Sequence, residues 1–391
     1  MTDLTRYGFT NEHQQLYDTV ERYSREVLYP LSEKMDRDDW FPEAEFRKLA
    51  ELGLLGVTVP EKFGGAGMDE VAQAFVVEAM TRWNSSMAGS YAASDNLCVN
   101  NIYRNANDFI REKYLPGFCD GSYIGALGIT EPGAGSDALG GMSAKAVKNG
   151  NSYVLNGRKM FITNGPCADV LLVYAKTAPE LGAHGISAFI VEKDFPGFSV
   201  AQKLDKMGWR GSMTGELVFD DCVVPAENLV GQENNGVAIT MSGLDLERVL
   251  VASHCLGVAD RALELTVEYA KTRKQFNRAI GEFQLVQAML ADMYTDVETA
   301  RCQTYQMLRE ISGLEVGGGG RGEVHMRAAS CILHAARAAM RVVDNAVQIH
   351  GGMGYMTESE INRLYRVGKL MLIGAGTTEV RQLIIGGELI K

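Results

Sequence analysis

The turn-punctuated block between residues 122 and 235 does most to limit what this chain can fold into. Within it, "SYIGALGITE", "AKAVKNGNSYVLNGRKMFITNG", "ADVLLVYAKT", "GISAFIVEK" and "GELVFDDCVVP" are short β-rich runs split by turns. Asn149-Gly150 and Asn156-Gly157 are dipeptides that favour hairpin turns. On both sides of the block the pattern is helical. Leu16, Val20, Tyr23 and Val27 recur at helical spacing, and "FPEAEFRKLAELGLLG" is a second helix with Gly53 and Gly56 near its end. Further helices are expected at 69–83, 85–104 and 107–115. After the block, helical patterns over 237–272 and 283–312 flank "RKQFNRAIGE", and others follow at 323–350, 357–370 and 377–385. The glycine run in "GLEVGGGGRGE" reads as a helix–helix connection. The expected class is α+β and multidomain: helical over 1–121, a compact β domain over 122–235, and helical again over 236–391.

The chain has 391 residues and a formal net charge of −11. That balance argues against nucleic acid and anionic membranes as main partners. Seven scattered cysteines, at 98, 119, 167, 222, 255, 302 and 331, form no CxxC pair. They read as reduced thiols of a cytoplasm or a mitochondrial matrix. No window approaches eighteen uncharged apolar residues, so no membrane span is expected. The N-terminus lacks both the apolar core of a signal peptide and the basic character of a transit peptide.

Several short segments could carry chemistry. "GAGSDA", Gly133 to Ala138, fits G-x-G-x-x-G/A, but Gly140, Gly141 and β sequence follow where a Rossmann unit needs a helix. Beside Thr130 and Ser136 it is either a surface loop or a turn whose amides meet a phosphate or polar ring edge. In "KMFITNG", Phe161 and Thr163 share one face of a strand. They either pack the sheet or face a planar cofactor. "GLDLERVLVA" sets Asp245, Glu247 and Arg248 in an apolar helix. This is either an ion pair or a buried carboxylate whose raised pKa suits a base. Arg273, Lys274 and Arg278 suit phosphate or a helix C-terminus. "QIHGGMGYM" is a Gly-rich turn after a helix. HExxH, GxSxG and Walker patterns are absent, the six histidines are scattered, and no structural metal site is expected.

Together, "ITEPGAGSD", "NGRKMFITNG", "GWRGSMTGELVFDDCVVPAENLVG", "RKQFNRAIGEFQ", "QIHGGMGYM" and "IGAGTTEVRQLIIG" resemble the acyl-CoA dehydrogenase family along essentially the whole chain. The resemblance implies a middle β-barrel-like domain, a C-terminal four-helix bundle, a homotetramer, and FAD held between domains and subunits. Electron-transferring flavoprotein would be the acceptor. Leu127, Ile129, Thr130 and Ser136 would line the flavin, with Ser136 also near the pantetheine. Phe161, Ile162 and Thr163 would hold the isoalloxazine. Arg273, Gln284 and the turn Gln348, Ile349, His350, Gly351, Gly352 would grip the pyrophosphate and adenine half, partly from a neighbouring subunit. Thr377, Thr378 and Glu379 would form a phosphate-facing helix start. Most family members carry the catalytic Glu at the position of Ala375; a minority, of isovaleryl type, place it on the helix bearing "LDLER". On that pattern Glu247 is the base, Ala375 supplies an oxyanion N–H, and Glu379 is a decoy.

The segments "SGLDLER", "IGAGT" and "LDKMGWRGSMTGEL" are most similar to the isovaleryl-type branch. The substrate contacts implied are Gly89, Ala93, Ser136, Ala183, His184, Asp245, Leu246, Arg248, Gly374, Ala375 and Gly376. Gly374 stands where straight-chain members have a bulky aromatic, leaving room for a methyl branch. Gly89, Ala93 and Leu97, spaced i, i+4, i+8, would share one helix face. Gly89 stands where that branch has Leu, which is expected to deepen the acyl pocket. Ala238 stands where it has Tyr. The expected reaction is α,β-dehydrogenation of isovaleryl-CoA to 3-methylcrotonyl-CoA, with hydride passing to flavin N5. The alternatives are longer methyl-branched or straight-chain acyl-CoA, an oxygen-using acyl-CoA oxidase, and a non-catalytic scaffold. The compartment would be the cytoplasm in a bacterium or the matrix for a processed eukaryotic chain.

Overall fold

This computed structural model describes residues 2–312 and 321–391; the glycine run at 313–320 lies outside them. Helices precede and follow one sheet. The first long helix, Asn11–Tyr23, starts where the Thr10 side chain accepts from the His13 N–H, and it buries Tyr17 and Val20. It runs on through wider and tighter turns at Ser24–Leu28 and Tyr29–Leu31, where Pro30 removes a backbone donor. Glu70–Trp83 is capped by Asp69 and buried along most of its length. Ser85–Tyr91, capped by Asn84, widens into a π-helical stretch at Ala92–Asn100. That widening departs from the expected common face. A π turn shifts the phase, so Leu97 does not continue the α-helical row of Gly89 and Ala93. The helix expected at 107–115 runs over Asp108–Cys119, through Pro116.

The sheet contains β1 (Gly125–Gly128), β2 (Lys145–Asn149), β3 (Ser152–Thr163), β4 (Val170–Lys176), β5 (Ile186–Glu192), β6 (Phe198–Lys203), β7 (Thr214–Pro225) and β8 (Leu229–Val230). Their order is β6-β7-β3-β2-β4-β5-β8, with β1 parallel to β4. β2 meets β4 at one residue pair, Lys145 with Lys176. Asn149-Gly150 is the expected β2–β3 hairpin turn, with Gly150 at φ 58. Asn156-Gly157 is not a turn. It lies inside β3 at a register shift, because the Asn156 side chain pairs twice with Asp221 of β7. Gly157 is required there: a Cβ would stand 2.6 Å from the Ala144 Cβ. β6 is an exposed edge strand, which the sequence reading missed because it has no buried face to leave a period-2 signal.

The helices before and after the sheet share one hydrophobic core, from Phe46 and Phe75 to Leu250 and Val343. Two further cores cover the sheet's faces, one against the Asn101–Cys119 region and one around Leu155, Phe189 and Leu217. The long helix Gly236–Thr272 packs on Gln284–Ile311, Gly322–His350 and Glu70–Trp83, so it is central to the molecule. No helix among the described residues is long and apolar enough to cross a membrane.

One fully buried cation is built into the sheet. Lys159 Nζ donates to Glu131 Oε1 at 2.9 Å and to the Ile129 carbonyl at 3.2 Å. Glu131 also accepts from the Ser143 and Ala144 backbones. Removing one partner of a buried pair strands the other's charge. Lys159→Met is expected to lower unfolding stability by about 3 kcal/mol or more, read from the urea midpoint.

Candidate functional site

The buried pair supports an open platform. Met160 N–H donates to the Thr130 carbonyl at 2.8 Å, so β3 and the segment after β1 are tied at 129–131. Beyond them Glu131 and Ala134 close a tight turn, and a Cβ at Gly133 or Gly135 would meet nothing within 4 Å. No helix follows "GAGSDA"; turns lead to β2. Phe161 stands at φ 61 beside a second register shift in β3 and leaves 66 % of its surface exposed. An aromatic held in the left-handed region without burial is strained. Leu127, Ile129, Thr130 and Thr163 are half-buried and Ser136 is exposed. Ile162 is a correction to the expected ring contacts. Its side chain points into the sheet's core, leaving only its backbone available. Exposed aromatic face, free amides and hydroxyls together suit the face and polar edge of a flat ring.

Glu247 lies half-buried on Gly236–Thr272. Burial pushes its carboxyl up to about 7, against the opposing pull of Arg248 and Arg381. The ion pair that the sequence also allowed is formed by its neighbour: Arg248 donates to Asp245 at 2.9 Å. The His325 ring contacts the same Asp245 oxygen at 2.8 Å. Leu246 packs into the main core. Positions 245 and 246 lie roughly 200° and 100° around the helix from 247. Asp245 and Leu246 therefore do not share the Glu247 face. Arg248 and Asp245 are placed as neighbours that orient the helix. Among the described residues the Glu247 carboxylate has no hydrogen bond or ion pair, so it is available to take a proton near neutrality.

The C-terminal turn Gly374–Ala375–Gly376 joins Glu360–Met371 to Thr378–Leu389. Ala375 has φ 53 and Gly376 φ 83. Left-handed Ala is unfavourable by about 1 kcal/mol or more, so surrounding contacts must hold it. The Ala375 N–H has no acceptor among the described residues. A Cβ at Gly374 would touch only Leu370, at 3.6 Å, so the site has room there. Thr377 caps the next helix by accepting from the Val380 N–H. Glu379 is exposed, and its own backbone N–H and the Thr377 hydroxyl hold it below the usual carboxylate range.

Arg273 and Gln284 are exposed at either end of the hairpin Lys274–Gln275 and Arg278–Ala279. The His350 ring stacks on Tyr269 at 4.2 Å, which brings the Gln348–Gly352 turn beside the end of the Arg273 helix. Gln348, Gly351 and Gly352 are exposed, but Ile349 is 9 % exposed and packs in the main core. Ile349 is thus a second correction: it can offer only backbone. Ala183 and His184 lie in the Pro179–Gly185 turn, which packs against the Gly236–Thr272 helix; His184 is exposed.

Gly89 overturns the expected deeper pocket. A Cβ there would lie 2.9 Å from three ring atoms of Trp209, so the indole fills the space a side chain at 89 would take. Trp209 is itself left-handed, at φ 50. Its Nε1–H donates to Ser85 Oγ at 2.8 Å, and Ser85 meets His254 Nε2 at 2.9 Å. Burial pushes the His254 imidazole down to about 3, so it is neutral. Ala93 is buried on the same helix. Trp209 and Arg381 were not singled out from sequence, since each matters through a distant partner that no local pattern displays.

Three family models match in sequence order: "Acyl-CoA dehydrogenase, N-terminal domain" over 10–122, "middle domain" over 126–222 and "C-terminal domain" over 234–390. Mitochondrial isovaleryl-CoA dehydrogenase of Pongo abelii is 44% identical over 386 residues, covering 97% of this chain and 89% of that protein. Mitochondrial 2-methylacyl-CoA dehydrogenase of Solanum tuberosum is 42% identical, covering 97% and 90%. The solved butyryl-CoA dehydrogenase of Megasphaera elsdenii superposes with a TM-score of 0.93 at 37% identity, covering 98% of this chain and 99% of that one. Fold and site define a flavoprotein oxidoreductase. The chain belongs to the acyl-CoA dehydrogenase family.

Two expectations follow from the geometry. A carboxyl raised from 4.5 to about 7 on folding makes the folded state more stable below pH 4.5 and progressively less so as pH rises to 7. Glu247→Gln should therefore melt above the wild type at pH 7.5, with the gap closing toward pH 4.5. Gly89→Leu should overpack against Trp209 and lose about 1–3 kcal/mol. Adding Trp209→Leu should recover most of it in thermal melts.

Proposed function

We propose that this acyl-CoA dehydrogenase binds FAD and oxidises a short branched acyl-CoA, isovaleryl-CoA to 3-methylcrotonyl-CoA in leucine breakdown, with Glu247 as base. The observation that carries it is the half-buried, unpaired Glu247 carboxyl, raised to about 7 by burial, in a chain whose C-terminal turn has no carboxylate of its own. Glu247 would remove the α-proton of the thioester. The free Ala375 N–H would donate a hydrogen bond to the developing enolate oxygen. Bound flavin supplies the acceptor for the hydride leaving the β-carbon. Leu127, Ile129, Thr130, Ser136 and Phe161 to Thr163 would hold the ring. Arg273, Gln284, Gln348 to Gly352 and Thr377 to Glu379 would hold the rest of FAD across a subunit boundary. Electron-transferring flavoprotein would reoxidise the enzyme.

A homotetramer fits the apolar side chains left exposed on the C-terminal helices, such as Leu285, Tyr294 and Leu383. The compartment follows the source: the matrix in a eukaryote, the cytoplasm in a bacterium. Short chain length is supported by Trp209. Its ring packs on His254 at 4.9 Å, and His254 lies seven residues beyond Glu247, on the same helix face about 10 Å away. Room at Gly374 supports a branch. The second reading, a preference for other methyl-branched acyl groups, is favoured by the likeness to a 2-methylacyl-CoA dehydrogenase.

Anaerobic bleaching of bound flavin by an acyl-CoA panel tests the proposal. Isovaleryl-CoA should reduce the flavin faster than butyryl-CoA or longer methyl-branched thioesters, and Glu247→Gln should slow bleaching by roughly 10²–10⁴-fold. A steep preference for butyryl-CoA would end the branched-chain reading. Peroxide formed under air without a flavoprotein acceptor would favour an oxidase.

A further inference from the structure

Arg381 is fully buried, yet it forms no ion pair within 4.0 Å among the described residues. Its guanidinium grips backbone instead. Nη1 and Nη2 each donate to the Met371 carbonyl at 3.0 Å, and Nη2 donates to the Gly374 carbonyl at 2.5 Å. The Thr378 N–H and hydroxyl take the Leu372 carbonyl, at 3.1 and 3.2 Å. The orphan carbonyls at the end of Glu360–Met371 are thus met by one cation and one threonine.

The Gly374 contact has a geometric consequence. The Gly374 C=O and the Ala375 N–H belong to one peptide unit, and in a trans peptide they point in opposite directions. Holding the Gly374 oxygen inward against Arg381 turns the Ala375 N–H outward, away from the buried guanidinium. A lysine could not do this, since a single ammonium lacks the fork that spans two carbonyls.

We propose that Arg381 is the positioning residue of the active site: it aims the Ala375 N–H at the thioester oxygen and stands as the uncommitted cation behind the base. The proposal rests on the reading of Glu247 as base and Ala375 as oxyanion donor. Glu247 is faced by Arg248 on its own helix, by Arg381 on Thr378–Leu389 and by the Tyr174 phenol of β4. Arg248 is committed to Asp245 and His325. Arg381 senses Cys255, Arg248, Glu247 and Glu379 and makes no salt bridge with any of them. Its positive charge favours ionised Glu247, and its fork fixes the turn. The two effects separate in two variants.

The test measures kcat, KM and their pH dependence on flavin-loaded enzyme, normalised to bound flavin, for Arg381→Lys, Arg381→Met and Glu247→Gln. Arg381→Lys should keep the acidic limb of the kcat profile where the wild type has it while kcat falls at least tenfold, since a misdirected oxyanion donor forfeits part of the ~10²–10³-fold such donors supply. Arg381→Met should lose as much rate or more and also move that limb to higher pH. A second readout needs no turnover: a bound 3-ketoacyl-CoA ionises at C2, and its enolate absorbance should appear at higher pH in both Arg381 variants than in the wild type. Wild-type kcat and limb in Arg381→Met would overturn the proposal. So would a loss of rate that tracks lost thermal stability with both pH midpoints unmoved. If Arg381→Met fails to fold, a wild-type rate and enolate midpoint in Arg381→Lys overturn it. If Glu247→Gln retains wild-type rate, the base reading falls whatever the Arg381 variants do.

Discussion

A half-buried carboxyl without a partner is costly to keep, and the fold is arranged around keeping one. Glu247 sits on the helix that contacts most other helices in the molecule. Its two cationic neighbours are positioned so that neither closes on it. Arg248 turns to Asp245 and His325, and Arg381 turns its two Nη groups to backbone carbonyls. Were either to pair with Glu247, the carboxyl would fall toward ordinary acidity and lose its strength as a base. Because the helices before and after the sheet share a single core, this helix cannot shift without disturbing both.

On the proposed reading, the sheet solves a different problem. A flat cofactor needs an exposed face and several free donors, which are expensive to leave on a strand. Buried Lys159 and Glu131 fix the loop from below, and a register shift turns Phe161 out at φ 61. The strain of that residue is offset by a rigid foundation rather than by local packing.

The long helices and most strands were legible because their apolar residues repeat at 3.6 or 2. What stayed hidden depended on partners far away in sequence. Asn156-Gly157 carries the local signature of a turn, but Asp221 captures the Asn156 side chain and the strand continues through a bulge. β6 has no buried face to betray it. The π stretch at Ala92–Asn100 breaks a spacing argument that holds only for α-helix. Gly89 suggests added depth from its sequence alone, but Trp209 occupies the space. In "LDLER" the residues alone allowed an ion pair or a raised carboxyl. The structure contains both, on different residues: Asp245 pairs, and Glu247 stays unpaired. The resemblance, through the Glu lacking at Ala375, pointed to Glu247; composition and spacing alone did not.

The central claim is that Glu247 alone moves the substrate proton. The most direct measurement is solvent-deuterium exchange at C2 of a bound thioester that can form an enolate but has no β-hydrogen to lose as hydride. Exchange should rise with pH through a midpoint near 7 in the wild type, following the Glu247 carboxyl, and should be abolished in Glu247→Gln. Exchange in Glu247→Gln at the wild-type rate, with the same midpoint, would contradict the account.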